Sequence, residues 1–338
     1  MNTKALLFCV LLVPVVAQAQ TGTVLADIVP QGQTGIGRGV AFDGVGNLYY
    51  TIDGHANIYK VSTTGAYLAN IPVQNNVAIA GPLAWDGVTL WTMNWVLDSF
   101  MLYRIGPYDG RIIQSCDISA VNPTHPAVAS YPLNIGGFPD GLEWINNTLW
   151  INSDSFSGNW EIQVDTNCKI LNAFNSPAGL GSGAGRLNGT AGIAADGMHL
   201  WHNSPSRNRT SSLVFQTDLN GARTGLHFEA RYIEEDLAFD SVTFAPKCAI
   251  WGNQVVLGNN HLTAYEVPCP APETPVTGAA CDTNGDGHID MDDLRAILAA
   301  LDTHVPPGDP RDADGDGSIT TRDARICATR CTNPSCGW

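Results

Sequence analysis

The stretch that decides the fold is Gly39–Tyr50, GVAFDGVGNLYY, because it returns three more times, as GPLAWDGVTLWT (81–92), DGLEWINNTLWI (140–151) and AGIAADGMHLWH (191–202). Each copy reads as an apolar segment, a tight Asp-Gly or Asn-Asn turn, and a second apolar segment. Two short apolar runs joined by such a turn form a β-hairpin, since these residues tolerate the left-handed backbone the turn needs. Each second segment holds an apolar-aromatic pair: Leu48-Tyr49, Leu90-Trp91, Leu149-Trp150, Leu200-Trp201 and, without the full lead-in, Ile250-Trp251. The pairs are spaced 42, 59, 51 and 50 residues apart.

The residues that follow each hairpin repeat as well. NIYKVSTTGAYLANI (57–71), MLYRIGPYDGRIIQSC (101–116), EIQVDTNCKILNAF (161–174) and LVFQTDLNGARTGLHF (213–228) again read strand, turn, strand. Four short antiparallel strands in a unit of roughly 40–60 residues make a propeller blade. The fifth unit ends on its third strand, HLTAYEVP (261–268), while an unassigned strand, TVLADIVP (23–30), precedes the first. If the leading strand completes the last blade, the ring closes without an open edge. The expected fold is therefore mostly β: a propeller of five blades, or six if the 59-residue spacing hides a degenerate one.

The rest of the chain divides around this ring. Residues 1–19 read as a signal peptide, with Lys4 before the apolar run 5–16 and Ala17-Gln18-Ala19 at the cleavage positions. The propeller occupies 20–268, a Pro/Thr-rich linker 269–280, and a small separate module 281–338. No other run approaches the ~18 apolar residues of a membrane span. With Cys9 in the leader, eight cysteines remain, an even number that suits disulfides in an oxidising compartment. The expected pairs are Cys116 with Cys168, Cys248 with Cys269, and Cys281, Cys327, Cys331 and Cys336 among themselves. The net charge of −15 argues against a nucleic-acid partner, which needs a basic face.

The module holds eleven Asp and five Arg, and its acids are periodic. DTNGDGHIDMDD (282–293) and DADGDGSITTRD (312–323) place oxygen-bearing groups at alternate positions around a central Gly. That spacing turns oxygens inward at the ~2.3–2.6 Å suited to Ca²⁺. The expected ligands of two ions are Asp282, Asn284, Asp286, His288 (by its carbonyl), Asp290 and Asp293, then Asp312, Asp314, Asp316, Ser318 (carbonyl), Thr320 and Asp323. The loops carry Asp at position 12 in place of the usual Glu, and each precedes a helix with none in front. In these respects residues 281–336 resemble the dockerin type I family. The resemblance implies two calcium ions, calcium-dependent folding and docking to a cohesin-like or other extracellular protein. It centres docking on loop positions 10 and 11, here Met291-Asp292 and Thr321-Arg322.

Chemistry in the propeller is less marked. Asn94, Asn152, Asn203 and Asn253 recur just past the repeated aromatics, with Asp53, Asp98 and Asp154 nearby. Such a ring suits a sugar or a metal ion, although Asn and Asp also favour turns for backbone reasons. Glu143, in DGLEW, resembles the acidic metal ligand of gluconolactonase- and regucalcin-like propellers, which implies Asn152 or Asn203 as further ligands. His55, His199, His202 and His227 are scattered and read as surface or turn residues, and the repeated tryptophans as blade packing. There is no G-x-S-x-G elbow, no HExxH and no recognisable triad. Two functions fit: a secreted calcium-binding protein with a recognition propeller, or an extracellular polysaccharide-degrading enzyme. The second would be a glycoside hydrolase or lyase holding carbohydrate at the channel, with Asp98, Glu143 and Asp154 as its acids.

Overall fold

The structure is a computed structural model and describes residues 21–30, 35–77, 79–97, 99–126, 138–154, 160–176, 190–205, 210–254, 260–270, 280–306 and 308–332. After β1 (Val24–Ile28), blade 1 is β2 (Gly37–Phe42), β3 (Asn47–Ile52), β4 (Asn57–Ser62) and β5 (Tyr67–Pro72). Blade 2 is β6 (Leu83–Trp85), β7 (Leu90–Met93), β8 (Met101–Ile105) and β9 (Ile112–Asp117), followed by a one-turn helix α1 (Ile118–Val121). Blade 3 is β10 (Phe138–Ile145), β11 (Thr148–Asp154), β12 (Trp160–Val164) and β13 (Ile170–Asn175). Blade 4 is β14 (Ile193–Ala195), β15 (Leu200–Pro205), β16 (Ser212–Thr217) and β17 (Arg223–Ala230). Blade 5 is β18 (Glu234–Asp240), β19 (Cys248–Gln254) and β20 (Leu262–Val267), and β1 supplies its fourth strand, pairing antiparallel with β20 from Ile28–Leu262 to Val24–Tyr265. The propeller therefore has five blades, and the ring closes as expected from the two leftover strands.

The repeated hairpin has a specific physical basis. In blade 2 one oxygen of Asp86 accepts the turn N–H groups of Val88 and Thr89, and the other accepts Trp91 Nε1–H at 2.9 Å. Asp196 repeats this with Met198, His199 and Trp201, and Asp240 with Val242, Thr243 and Trp251. The Asp thus builds the turn and satisfies the indole that the blade buries. Blade 3 lacks this Asp and turns on Asn146 and Asn147, both left-handed (φ 51° and 60°), which leaves Trp150 Nε1 without a partner among the described residues.

The buried side chains do not form one central core. They form layers between neighbouring blades: Trp91 packs with Leu142 and Ile151 across blades 2 and 3, Trp201 with Leu237 and Tyr265 across blades 4 and 5, and Trp251 with Val40 and Leu48 across blades 5 and 1. Trp91, Trp150, Trp201 and Trp251 are essentially inaccessible, in keeping with their packing role. Disulfides Cys116–Cys168 and Cys248–Cys269 tie blade 2 to blade 3 and brace blade 5.

In the C-terminal module, α2 (Met291–Leu298) and α3 (Thr321–Thr329) each begin at the end of an acidic loop, and β21 (Thr303–His304) pairs with β22 (Ser318–Ile319). Leu294, Ile297, Ile319 and Cys327 make its small core, and Cys281–Cys327 crosses it. Cys331 is also disulfide-bonded, while Cys336 lies outside the described residues, as does the segment 1–19 that reads as a signal peptide. No helix among the described residues is long and apolar enough to cross a membrane.

Candidate functional site

The inner strands approach so closely that backbone fills the axis. A Cβ on Gly39 would lie 2.4 Å from Gly81 O, one on Gly141 2.7 Å from Ile193 N, and one on Gly192 2.6 Å from Asp236 Cα. The glycine that opens each repeat is therefore a packing requirement. In blade 5 the corresponding residue is Asp236, heading DLAF where the others read GVAF, GLEW and GIAA. Its carboxylate accepts N–H groups from Val40 (3.2 Å), Leu83 (3.0 Å) and its neighbour Leu237 (3.0 Å), so it links blades 1, 2 and 5 across the axis. Burial holds this carboxyl well above its usual range. Asp236 was not among the expected site residues, although the fifth lead-in carries its signal in DLAF.

Above it, at the end where inner strands start and second strands finish, lies a polar mouth. Arg38 Nη1 donates to Glu235 and Nη2 to Asp53 (3.1 Å), and its guanidinium carbon stands 3.4 Å from the centre of the Trp95 ring. Phe138 stacks on Trp95 with centroids 4.3 Å apart, and Trp95 Nε1 donates to Asp140. Groups this close must occupy opposite faces of the indole, so Trp95 offers no free face for a sugar ring. Arg38, Asp140 and Glu235 are buried and Asp53 is half-exposed. Among the described residues, three carboxylates, Asp53, Asp140 and Glu235, gather around the Arg38–Trp95 pair.

The recurring amides occupy defined places. Asn253 donates to Gly39 O (2.8 Å) and Thr51 O (3.2 Å), joining blade 5 to blade 1. Asn203 accepts from Gly192 N and donates to Glu234 O, joining blade 4 to blade 5, and Asn152 donates to Thr190, joining blade 3 to blade 4. Thr51 Oγ1 donates to Gly81 O at 2.7 Å across blades 1 and 2, and the Trp95–Asp140 bond closes the seam between blades 2 and 3. Every seam thus has a polar staple at the mouth. Asn94 is the exception, bonding among the described residues to the nearby Ser99.

Glu143 sits further along β10, toward its turn end. Its carboxylate accepts Trp144 N (2.7 Å) and Ala195 N (3.2 Å); the residue keeps some exposed surface, but burial of the acid end pushes it up to about 8. It is several residues along β10 from Asp140, and neither Asn152 nor Asn203 bonds to it among the described contacts. Asp98 and the Asp154 side chain lie outside the described residues. His202 is fully buried, contrary to the surface reading, because β15 turns it inward against Phe215, with Nδ1 3.2 Å from Glu161 and Nε2 2.9 Å from Thr217 Oγ1. His55, His199 and His227 are not buried.

In the acidic loops the same contacts occur twice. Asp282 caps the N–H groups of Gly285, Asp286 and Gly287, and Asp312 those of Gly315, Asp316 and Gly317. Asp293 accepts from Thr283 N and Asp290 N, and Asp323 from Ala313 N and Thr320 N, closing capping boxes at the starts of α2 and α3. Gly287 and Gly317, at position 6, take φ of 83° and 85°, which a side chain would strain. Oxygens of Asp312, Asp314 and Asp323 lie within 4.8 Å of one another, with Asp312 and Asp323 buried. Burial, then the Asp323 charge, raises Asp314 to about 7.

The sequence matches no protein-family model and no curated protein. Among solved structures, the chain is similar to the Dos1 propeller (12% identity, 61% of this chain and 50% of that one, TM-score 0.34). It is also similar to virginiamycin B lyase from Staphylococcus aureus (14%, 69% and 66%, TM-score 0.35). A third is PQQ-bound aldose sugar dehydrogenase from Streptomyces coelicolor (9%, 72% and 98%, TM-score 0.41). The chain spans 50% and 66% of the first two.

Proposed function

We propose that this chain is an exported calcium-binding protein whose propeller presents a binding site at its channel mouth and whose C-terminal module is held together by two calcium ions. The carrying observation is the matched pair of loops, in which Asp282 and Asp312, and Asp293 and Asp323, make the same contacts with backbone N–H groups at the same spacing. Three like charges within 4.8 Å repel strongly when buried, and a divalent cation is their natural counter-ion. The residues fit the group: the donors are all oxygen, the central glycines permit the turn, and in the second loop the oxygens of Asp312, Asp314 and Asp323 converge. The holders would be Asp282, Asn284, Asp286, Asp290 and Asp293 with the His288 carbonyl, and Asp312, Asp314, Asp316, Thr320 and Asp323 with the Ser318 carbonyl. Bound calcium would supply charge neutralisation and a fixed start for α2 and α3. The disulfides support an oxidising destination.

At the mouth, Arg38 is neutralised by its own acids and Trp95 is covered on both faces, so the arrangement suits recognition better than acid–base turnover. Calorimetric titration of chelator-treated protein tests the calcium reading. Two ions bound by the wild type, and loss of one in Asp312→Asn/Asp323→Asn, are expected. Chelation should unfold the module and leave the propeller's tryptophan signal unchanged; absence of any calcium heat would refute the reading.

A further inference from the structure

Among the described residues, two hydrogen bonds join the module to the propeller, and both come from adjacent residues at the start of α3. Thr321 Oγ1 accepts a hydrogen bond from Asn147 Nδ2, in the turn between β10 and β11. Arg322 Nη1 donates to Gly197 O at 2.5 Å, in the turn between β14 and β15. The same guanidinium uses Nε to hold Asp314 at 3.2 Å, one of the acids of the second loop. Both turns lie on the face opposite the mouth, because first-to-second-strand turns and inner-strand starts are at opposite ends of each blade.

The two turns are suited to this by the sequence. Blade 3 replaces the Asp-Gly turn with Asn146-Asn147, whose second amide projects outward, and blade 4 offers a carbonyl beside a left-handed glycine (φ 96°) with no side chain to obstruct the guanidinium. The helix start that presents Thr321 and Arg322 is itself fixed by the loop, since Asp323 reaches back to Thr320 N and to Ala313 N. Arg322 therefore has its two ends on two different bodies, an acid of the loop and a carbonyl of the propeller.

We propose that the turn face of blades 3 and 4 is the docking seat for the module's own Thr321–Arg322 corner, and that calcium in the second loop presents that corner to the seat. The calcium half rests on the calcium reading above. The partner of this surface is thus a segment of the same chain, and docking leaves the mouth on the far side open. Because the calcium-bound loop fixes the helix start that presents Thr321 and Arg322, binding and docking are linked, and each changes the affinity of the other by the same factor.

Amide hydrogen exchange in the full chain tests this, with the turns of blades 1 and 2 (43–47 and 86–89) as internal references for those of blades 3 and 4 (146–150 and 196–200). In saturating calcium, Thr321→Ala/Arg322→Glu should raise exchange at both seat turns by about fivefold or more, the lower end of ordinary coupling, without affecting the reference turns. Asn147→Lys acts from the propeller side without touching the loop; it should raise exchange at 196–200 while calorimetry still counts two ions. Chelation of the wild type should reproduce the same rise. Unchanged exchange at 196–200 in both variants would overturn the seat. A seat that responds to the variants but not to chelation, although calorimetry shows the ions removed, would overturn the coupling. No calcium heat in the wild type, with the variant response intact, would refute the calcium reading and leave the seat standing.

Discussion

Glu234 gives the propeller a pH dependence that can be isolated. Its side chain is fully buried on β18, Oε1 accepts the Tyr265 hydroxyl at 2.6 Å, and Oε2 has no partner among the described residues. Burial pushes its pKa up to about 8, against the Tyr265 bond, from the ordinary 4.5. The folded state therefore keeps its proton where the unfolded chain has lost it. Stability from this group is fully present below pH ~4.5 and is lost as pH rises toward about 8, at about 1.4 kcal/mol per pH unit. Glu234→Gln keeps an acceptor for Tyr265 and removes the titration. Between pH 5.5 and 7.5 the stability of the variant relative to wild type should rise by about 2.7 kcal/mol, two units of that slope. Urea unfolding followed by tryptophan fluorescence at pH 5.5, 6.5 and 7.5 measures it. Glu143 and Asp236 are raised in the same sense, so both proteins will lose stability with pH; only their difference reports Glu234. Parallel profiles for the two proteins would refute the argument.

Three further outcomes follow from the packing. Asn253→Ala removes two bonds across the closing seam and should cost about 2 kcal/mol in urea unfolding, whereas Asn94→Ala, at the matching sequence position, should cost under about 0.5 kcal/mol because its bond is local. Gly192→Ala places a methyl 2.6 Å from backbone that cannot yield, and should destabilise the propeller by about 3 kcal/mol or fail to fold. Replacing Cys281 and Cys327 by Ser opens a 46-residue link and should destabilise the module by about 4 kcal/mol, read by its exchange protection, without changing the propeller.

Much of the fold was legible because its signals are local. The Asp-Gly turn, the apolar segments that form β2 and β3 and the buried pair Leu90-Trp91 each lie within a dozen residues, and repetition multiplies a weak signal. The acidic loops are legible for the same reason, since a loop of twelve residues carries its whole donor set. The mouth is not. Arg38 meets Glu235 across 197 residues, and nothing in either segment announces the other until the ring closes. The amides past the aromatics were visible, but their acceptors are backbone carbonyls of the next blade, which carry no sequence signature. Asp236 was visible in principle, as the one charged residue standing where the other inner strands carry glycine.

The pairing of β1 with β20 also sets an order of events. Strand β1 is synthesised before the blades it closes and finds its partner only when Leu262–Val267 has been made, and joining segments so far apart costs about 5 kcal/mol of chain entropy. Blades 1 to 4 are assembled from neighbouring hairpins and owe nothing to that step. Until it occurs, VLADI is a bare edge and blade 5 is one strand short. The slow phase of folding, and the interval in which a second chain could capture the edge, should therefore both belong to this single seam.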